Sequence, residues 1–295
     1  MSKRLLFAKA FVSFSGMRII AKILVVAALA SFAACHSAPK KQDEHQIISA
    51  DTETPLAARL DRNLDKAFGA WNDSGTEQLL TAMLGRIASA DPAYAALKDA
   101  HVHLLDTTTP YIAPGLAKTV YVSRGALGAV LYENELAFLL ATQLAFLHDH
   151  ATKRNLAVLQ GQEVGEHILS LPTSPAVMHR DYLEKGWFEA GGLFDVGNVV
   201  YLKAEADGIK LMYAAKYDPR GAVALIQRWT APPLDAQLRA LGKILPEPDE
   251  RLNQAREEVA KLSPLRDPIV RSHAFEELEA RLHVKKAKAR KKNSK

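Results

Sequence analysis

Residues 133–150 read ENELAFLLATQLAFLHDH. From residue 136 onward almost every side chain is apolar, so a helix built from them would be hydrophobic nearly all round. A helix of that kind lies at the centre of a domain, because a surface helix keeps one polar face. The stretch therefore predicts a long, buried helix over residues 133–152.

The segments around this helix predict a mixed domain. Alternating or β-branched residues predict strands at 101–105 and 119–123, with turn residues between them at 107–114. Asp73 or Ser74 is placed to cap a following helix. Apolar residues at helical spacing predict five further helices, over residues 56–68, 76–90, 201–216, 221–229 and 251–262. We expect the α+β fold class, mostly helical, with a small β-sheet beside the central helix.

Charge is unevenly distributed along the 295 residues. The formal net charge is +5, but residues 1–34 hold five of the 38 basic side chains and residues 285–295 hold seven more, with no acid in either segment. The segment between them has 26 basic and 33 acidic side chains, a net charge of −7. No basic face is indicated, and we expect no nucleic-acid partner.

The N-terminal region resembles a bacterial lipoprotein leader. A basic stretch at 17–22 precedes an apolar run at 23–34, which has the length of a signal peptide and is short for a membrane span. The run ends in Phe32-Ala33-Ala34-Cys35, similar to the lipobox whose cysteine receives a diacylglycerol. Cys35 is the sole cysteine, so an intrachain disulfide is excluded. The alternative is a plain signal peptide with an incidental cysteine.

A lipidated Cys35 would anchor the mature chain to a membrane on the periplasmic side of the cell envelope. His36 stands where Asp would resemble an inner-membrane retention signal, so we expect the outer membrane. The chain starts at Met1 or at Met17. The predicted organisation is a lipoprotein signal peptide at 1–34, a tether at 35–55, a domain at 56–262, a C-terminal helix at 263–284 and a basic disordered tail at 285–295. The tail either contacts anionic lipid head groups or serves as a solubilising extension.

Three stretches together resemble metallopeptidase family 48, the zinc peptidases related to HtpX and to CAAX prenyl proteases, in particular their periplasmic lipoprotein branch. The resemblance covers residues 56–262 and implies a zincin-like peptidase domain of the gluzincin type, mostly helical, with a small sheet beside the active-site helix. The first stretch is the strand pair and turn at 102–127, and the second is the lead-in Glu133-Asn134-Glu135 with the apolar residues to 141. The third is the Glu205-Ala206-Asp207-Gly208 segment together with the Tyr217-Asp218-Pro219 turn that follows it.

In the family, zinc is held by two histidines of an H-E-x-x-H motif and by a glutamate four residues before the aspartate of a later helix. Here the motif is replaced by Thr142-Gln143-Leu144-Ala145-Phe146, and the third ligand falls on Lys203, four residues before Asp207. A threonine hydroxyl is a poor zinc ligand, a phenyl ring has no lone pair, and a lysine ammonium repels a dication. A glutamine amide also cannot serve as the base that activates water. We therefore expect a degenerate member without zinc, in which Phe146 fills the vacated volume and Lys203 pairs with Asp207.

Two other groups of residues could carry chemistry. His148, His150 and His167 suggest a displaced metal site, but His148 and His150 diverge by about 200° on a helix, so solvated residues at a helix end are the favoured interpretation. Ser123 lies in a strand near the vestigial motif, yet no His and acid are placed to activate it as a nucleophile.

The leading functional prediction is a non-catalytic, peptidase-like envelope lipoprotein that binds extended or unfolded polypeptide in periplasmic quality control or assembly. In peptidases of this type a strand binds substrate by backbone pairing without the metal. The corresponding candidate strand here is Val120, Tyr121, Val122 and Ser123. One alternative is an active zinc-dependent metalloendopeptidase with unusual ligands, and another is a structural subunit of an envelope complex.

Overall fold

The computed structural model describes residues 50–153, 197–231 and 246–282, all within one unit that spans Ile47–Lys295. The predicted signal peptide, Cys35, most of the predicted tether, His167 and the predicted basic tail lie outside the described residues. The chain is mainly helical with a small mixed sheet, which confirms the α+β class.

The elements follow one another in an order close to the predicted one. Helix α1 covers Ala50–Phe68 and α2 covers Ser74–Ala88, followed by a 3₁₀ helix at Pro92–Leu97. The strands are β1 (His101–Leu105), β2 (Ile112–Pro114) and β3 (Thr119–Ser123). The remaining helices are α3 (Arg124–Gly128), α4 (Glu133–His148), α5 (Gly197–Ala214), α6 (Arg220–Trp229), α7 (Pro248–Ala260) and α8, described over 273–282.

Helix α4 is the centre of the domain, as its composition predicts. Every residue from Glu133 to Leu147 is buried, and α4 packs along α5 as well as against α2, α6 and β2. The helix ends at His148, four residues before its predicted end, because Asp149 takes the C-cap position and His150 has a positive φ of 52°. Its apolar side chains join those of the sheet and the neighbouring helices in one continuous core.

The three strands are arranged in the order β1-β3-β2. Strand β3 pairs in parallel with β1 over all five residues and antiparallel with β2 from Val120 to Val122. The strand predicted to bind peptide, at Val120, Tyr121, Val122 and Ser123, has no free backbone edge, since both edges of β3 are paired within the sheet, and all its side chains are buried. An added strand needs a free edge.

Strand β2 was predicted as part of a turn. It has only three residues and ends in Pro114, so it lacks the alternating pattern that reveals a longer strand. Pro114 is tolerated because β2 is an edge strand, where a missing N–H breaks no ladder. The carbonyl of Pro114 instead accepts a hydrogen bond from the hydroxyl of Thr152, at 2.9 Å.

The domain is longer at both ends than the predicted range of 56–262. Helix α1 begins at Ala50, inside the predicted tether, and the buried Glu53 carboxylate accepts the N–H of Ala117 at 2.7 Å. At the other end, the carbonyl of Val270 accepts the N–H of Glu133, the first residue of α4. Three apolar residues of α8 then enter the same core: Phe275, Leu278 and Leu282. Among the described residues, no helix combines the length and the hydropathy needed to cross a membrane.

Candidate functional site

The resemblance places the vestigial zinc positions on α4 and α5, and these two helices are in close contact there. An added Cβ at Gly208 of α5 would lie 2.7 Å from the hydroxyl oxygen of Thr142 and 2.9 Å from its backbone nitrogen. The Thr142 hydroxyl donates to the carbonyl of Phe138 at 2.9 Å, one turn earlier in α4. Thr142 is therefore packed against backbone and already hydrogen-bonded.

Gln143, at the position of the family's catalytic base, lies in the protein interior. It is 5% exposed, and its amide nitrogen is 3.4 Å from the carbonyl oxygen of Leu139. Its amide oxygen has no hydrogen-bond partner among the described residues. A buried neutral amide neither meets solvent nor accepts a proton near neutral pH, so it does not take the role of a general base.

Phe146, at the position of the second histidine, is 4% exposed and packs 5.6 Å from the ring of Tyr201 on α5. It also lines a cavity of about 180 Å³ next to the C-terminal end of α4, which we call the Phe146 cavity. Leu97, Leu147 and Ala151 contribute further apolar walls. Phe146 thus packs against Tyr201 and also borders open space in the Phe146 cavity.

The rim of the Phe146 cavity is charged. Lys153 pairs with Glu53 at 2.7 Å, and Lys118 pairs with Asp99 at 2.7 Å. His150 also lines the cavity. Each rim lysine already has an acidic partner, so the cavity offers an apolar interior inside a ring of balanced charge.

Lys203, at the position of the third zinc ligand, is bound by two carboxylates. Its ammonium lies 3.0 Å from Asp207, which confirms the predicted pair, and 2.6 Å from Asp149 at the end of α4. These hydrogen bonds raise the pKa of Lys203 above its ordinary value. Lys210 adds a second cation 3.2 Å from Asp207. The cluster therefore joins α5 to the C-terminal end of α4 by ion pairs.

An aromatic pair borders this charged cluster. The ring of His148 lies 4.6 Å from that of Tyr94, between centroids. Burial, followed by the negative charge of Asp207, raises the pKa of Tyr94 to about 12, so its hydroxyl stays protonated across the physiological range. Nδ1 of His148 is 3.4 Å from a carboxylate oxygen of Asp149. His148 is thus part of a surface network of ring contacts and ion pairs.

The donor set at the vestigial position does not fit a zinc ion. Zinc requires imidazole, thiolate or carboxylate ligands, whereas this position presents a hydroxyl, an amide, a phenyl ring and an ammonium. Across 50–153, 197–231 and 246–282, no three His, Cys, Asp or Glu side chains are grouped as metal ligands. His167, the third member of the displaced site considered from the sequence, lies outside the described residues.

Ser123 has a structural role. Its side chain is fully buried, and its hydroxyl oxygen accepts the N–H groups of Tyr111 at 2.8 Å and Ala126 at 2.9 Å. The hydroxyl proton is donated to the carbonyl of Thr109 at 2.8 Å. Ser123 therefore caps α3 and fixes the chain before β2. Its hydroxyl proton is already donated, so it is not available to a catalytic base.

The lead-in Glu133-Asn134-Glu135 and the turn that begins at Tyr217 meet in space. The hydroxyl of Tyr217 donates to Glu133 at 3.2 Å, and the amide nitrogen of Asn134 donates to the carbonyl of Asp218 at 3.1 Å. Gly221 lies so close to Asn134 that an added Cβ would be 2.5 Å from its amide nitrogen. Two motifs of the resemblance are therefore parts of one buried junction.

A buried ion pair beside the vestigial site was not found from the sequence. Arg251 of α7 donates to Glu205 of α5 at 2.5 Å, and both side chains are 4% exposed. The guanidinium also lies over the ring of Tyr201, 5.2 Å from its centroid. Glu205 precedes Asp207 in the segment that carries the resemblance, but its partner is 46 residues away, and nothing in a single sequence signals such a pair.

Comparison with known proteins brings no match to a protein-family model and no significant match among curated proteins. The resemblance to metallopeptidase family 48 therefore depends on the motif residues and their spacing alone.

Proposed function

We propose that this protein is a non-catalytic, metallopeptidase-like lipoprotein of the bacterial envelope, with a degenerate zincin-like fold of the gluzincin type. The observation that carries the proposal is the contact between Thr142 and Gly208. It supports the view that α4 and α5 pack too closely at the position of the first zinc ligand to leave room for an ion. The buried Gln143 amide and the ion-paired Lys203 ammonium support the same conclusion, because neither activates water nor binds a dication.

The proposed activity is the binding of extended or unfolded polypeptide in a quality-control or assembly role. The Phe146 cavity is the candidate contact, because its apolar interior matches a single apolar side chain. Its balanced rim charges tolerate polar neighbours of either sign on the bound chain. Binding by strand addition to β3 is not part of the proposal, since both edges of that strand are paired.

One preparation tests catalysis and binding together: the mature chain with Cys35→Ser, which needs no lipid. We expect zinc well below one ion per chain by elemental analysis, no cleavage of casein, and capture of reduced, unfolded casein. Stoichiometric zinc with cleavage abolished by a chelator would establish the alternative of a metalloendopeptidase with unusual ligands and refute the proposal.

The contribution of the Phe146 cavity is tested by a matched pair of variants. Ala96 lines the cavity and Ala95 does not, although both are exposed on the same 3₁₀ helix. Ala96→Trp should block the cavity and weaken capture of unfolded casein, whereas Ala95→Trp should leave it unchanged. Equal capture by the two variants would remove the cavity from the proposal.

A structural subunit of an envelope complex is the second candidate. An apolar surface supports it, formed by Leu131, Tyr132 and Val270, with 53%, 46% and 36% of their respective surfaces exposed. The N–H of Glu133 binds the carbonyl of Val270, which brings these residues to one place. Co-purification with an envelope complex that is lost in Tyr132→Ser, without any capture of unfolded casein, would favour this candidate.

The lipid anchor and the outer-membrane location are also proposals, supported by the lipobox-like Phe32-Ala33-Ala34-Cys35. We expect the native chain in the outer-membrane fraction, labelled by radioactive palmitate. Cys35→Ser should remove both the label and the membrane association. Retention of the label in that variant would exclude Cys35 as the lipidation site.

A further inference from the structure

A second cavity, of about 220 Å³, lies between α2, the N-terminal end of α4 and residues 272–275. We call it the Glu133 cavity. Its walls are mostly apolar and come from Leu79, Met83, Leu136 and Phe275. An apolar cavity of roughly 150 Å³ already accommodates a benzene ring in a well-packed protein. The Glu133 cavity is therefore large enough for one branched aliphatic or aromatic side chain.

One acidic and one basic side chain, Glu133 and Arg86, line the same cavity. The Glu133 side chain is 6% exposed, and one of its oxygens accepts the hydroxyl of Tyr217 at 3.2 Å and faces an Arg86 nitrogen at 3.4 Å. Its other oxygen, Oε2, has no hydrogen-bond partner among the described residues. A buried carboxylate with few donors is costly, so an incoming N–H group at the Glu133 carboxylate would be favoured.

Arg86 is held in place and still has donors to offer. Its side chain is 49% exposed, and its guanidinium lies over the ring of Tyr217, 4.7 Å from the centroid. The cation–π contact and the long bond to Glu133 orient the group without saturating it, because a guanidinium carries five N–H donors. Arg86 therefore presents a positive, fork-shaped donor to a ligand in the cavity.

We propose that the Glu133 cavity binds a free hydrophobic α-amino acid as its zwitterion. The ligand's ammonium donates to the Glu133 carboxylate, its carboxylate accepts from Arg86, and its side chain lies among Leu79, Met83 and Phe275. A neutral pair of adjacent opposite charges complements the adjacent charges of a zwitterion better than it complements a lone anion or a lone cation. This site is separate from the Phe146 cavity and does not depend on the proposed polypeptide binding.

Calorimetric titration of the mature chain carrying Cys35→Ser tests the proposal. L-leucine and L-phenylalanine should bind with one site per chain. N-acetyl-L-leucine lacks the ammonium and isopentylamine lacks the carboxylate, so each should bind about tenfold to a hundredfold more weakly. Equal affinity for L-leucine and N-acetyl-L-leucine, or no heat with any free amino acid, would overturn the proposal.

Variants locate the site without disturbing the core. Ala82 lines the cavity yet is exposed on α2, and Gln78 is exposed on the same helix outside the cavity. Ala82→Trp should abolish L-leucine binding and Gln78→Trp should preserve it. Arg86→Met should weaken binding about tenfold or more while circular dichroism stays unchanged. Unchanged affinity in Ala82→Trp would place any binding elsewhere and refute this assignment.

Discussion

Gly208 on α5 lies directly against Thr142 on α4, at the position that the resemblance assigns to the first zinc-binding histidine. A Cβ added at residue 208 would be 2.7 Å from the Thr142 hydroxyl oxygen and 2.9 Å from the Thr142 backbone nitrogen. Atoms at such distances overlap, so one helix would have to move away from the other. The helix pair is thus built around a residue without a side chain.

Gly208→Ala should destabilise the protein, by about 1–3 kcal/mol of unfolding free energy. The sign is informative, because Gly→Ala in an ordinary helix interior stabilises by up to about 1 kcal/mol. Urea denaturation followed by circular dichroism measures the difference. Lys210→Ala, at an exposed position on the same helix, is the control and should change stability by less than about 0.5 kcal/mol. A gain in stability for Gly208→Ala would contradict the close contact.

Breaking the buried ion pair between Glu205 and Arg251 should strongly destabilise the protein. Both side chains are 4% exposed, so Arg251→Met would leave a buried carboxylate without its partner. We expect a loss of about 3–5 kcal/mol, while Glu205→Leu combined with Arg251→Met should recover most of it. Denaturant titrations of both single variants and the double variant give the coupling energy.

The control for that cycle is the pair of Glu258 and Lys261, in which 63% of the lysine side chain is exposed. Glu258→Gln should cost less than about 1 kcal/mol, because water already solvates the lysine. Additive effects of Glu205→Leu and Arg251→Met would mean that the two side chains do not interact in solution.

The parts of the fold that the sequence predicts well are those with a local signal. Helix α4 follows from its apolar composition, and the Lys203–Asp207 pair follows from a spacing of four residues. The short edge strand β2 was missed because three residues ending in Pro114 carry no periodic pattern. Propensity and periodicity thus describe elements that are long enough to repeat.

The parts that the sequence does not predict depend on contacts between distant segments. Asp149 meets Lys203 across 54 residues, and Arg228 meets the buried Glu135 across 93 residues. Such partners are chosen by the packing of helices, and many other Lys, Arg, Asp and Glu residues are equally compatible with the sequence. The pairing of β3 on both edges is of the same kind, because strand order is a property of the assembled sheet.

Ser123→Ala should destabilise the fold by about 1–3 kcal/mol, since it removes the partner of two buried N–H groups and of the carbonyl of Thr109. Thermal and urea unfolding measure the loss. Ser89→Ala is the matched control, because that hydroxyl is exposed and donates only to the carbonyl of Gly85 at 2.7 Å. If Ser123 were instead a nucleophile, Ser123→Ala would abolish an esterase activity while leaving stability nearly unchanged.

Asp149 should make stability depend on pH in the acid range. Partial burial alone would raise its pKa, but hydrogen bonds and charge from Lys203 and His148 outweigh burial and lower it. A lowered folded-state pKa stabilises the protein above the unfolded value of about 3.9, and this stabilisation is lost as the pH falls through the folded-state value. Because 56% of the Lys203 side chain is exposed, we expect at most about 1 kcal/mol.

The measurement compares the unfolding free energies of the native protein and Asp149→Asn by urea titration from neutral pH down to about pH 3. The native protein should be more stable near neutrality, and the difference should shrink as Asp149 becomes protonated in the folded state. Asp267→Asn is the control, because the Asp267 carboxylate is 94% exposed and its distance to Arg266 is long, at 3.8 Å. A difference between native protein and Asp149→Asn that stays constant across this range would mean that the Asp149 charge does not hold α5 to α4.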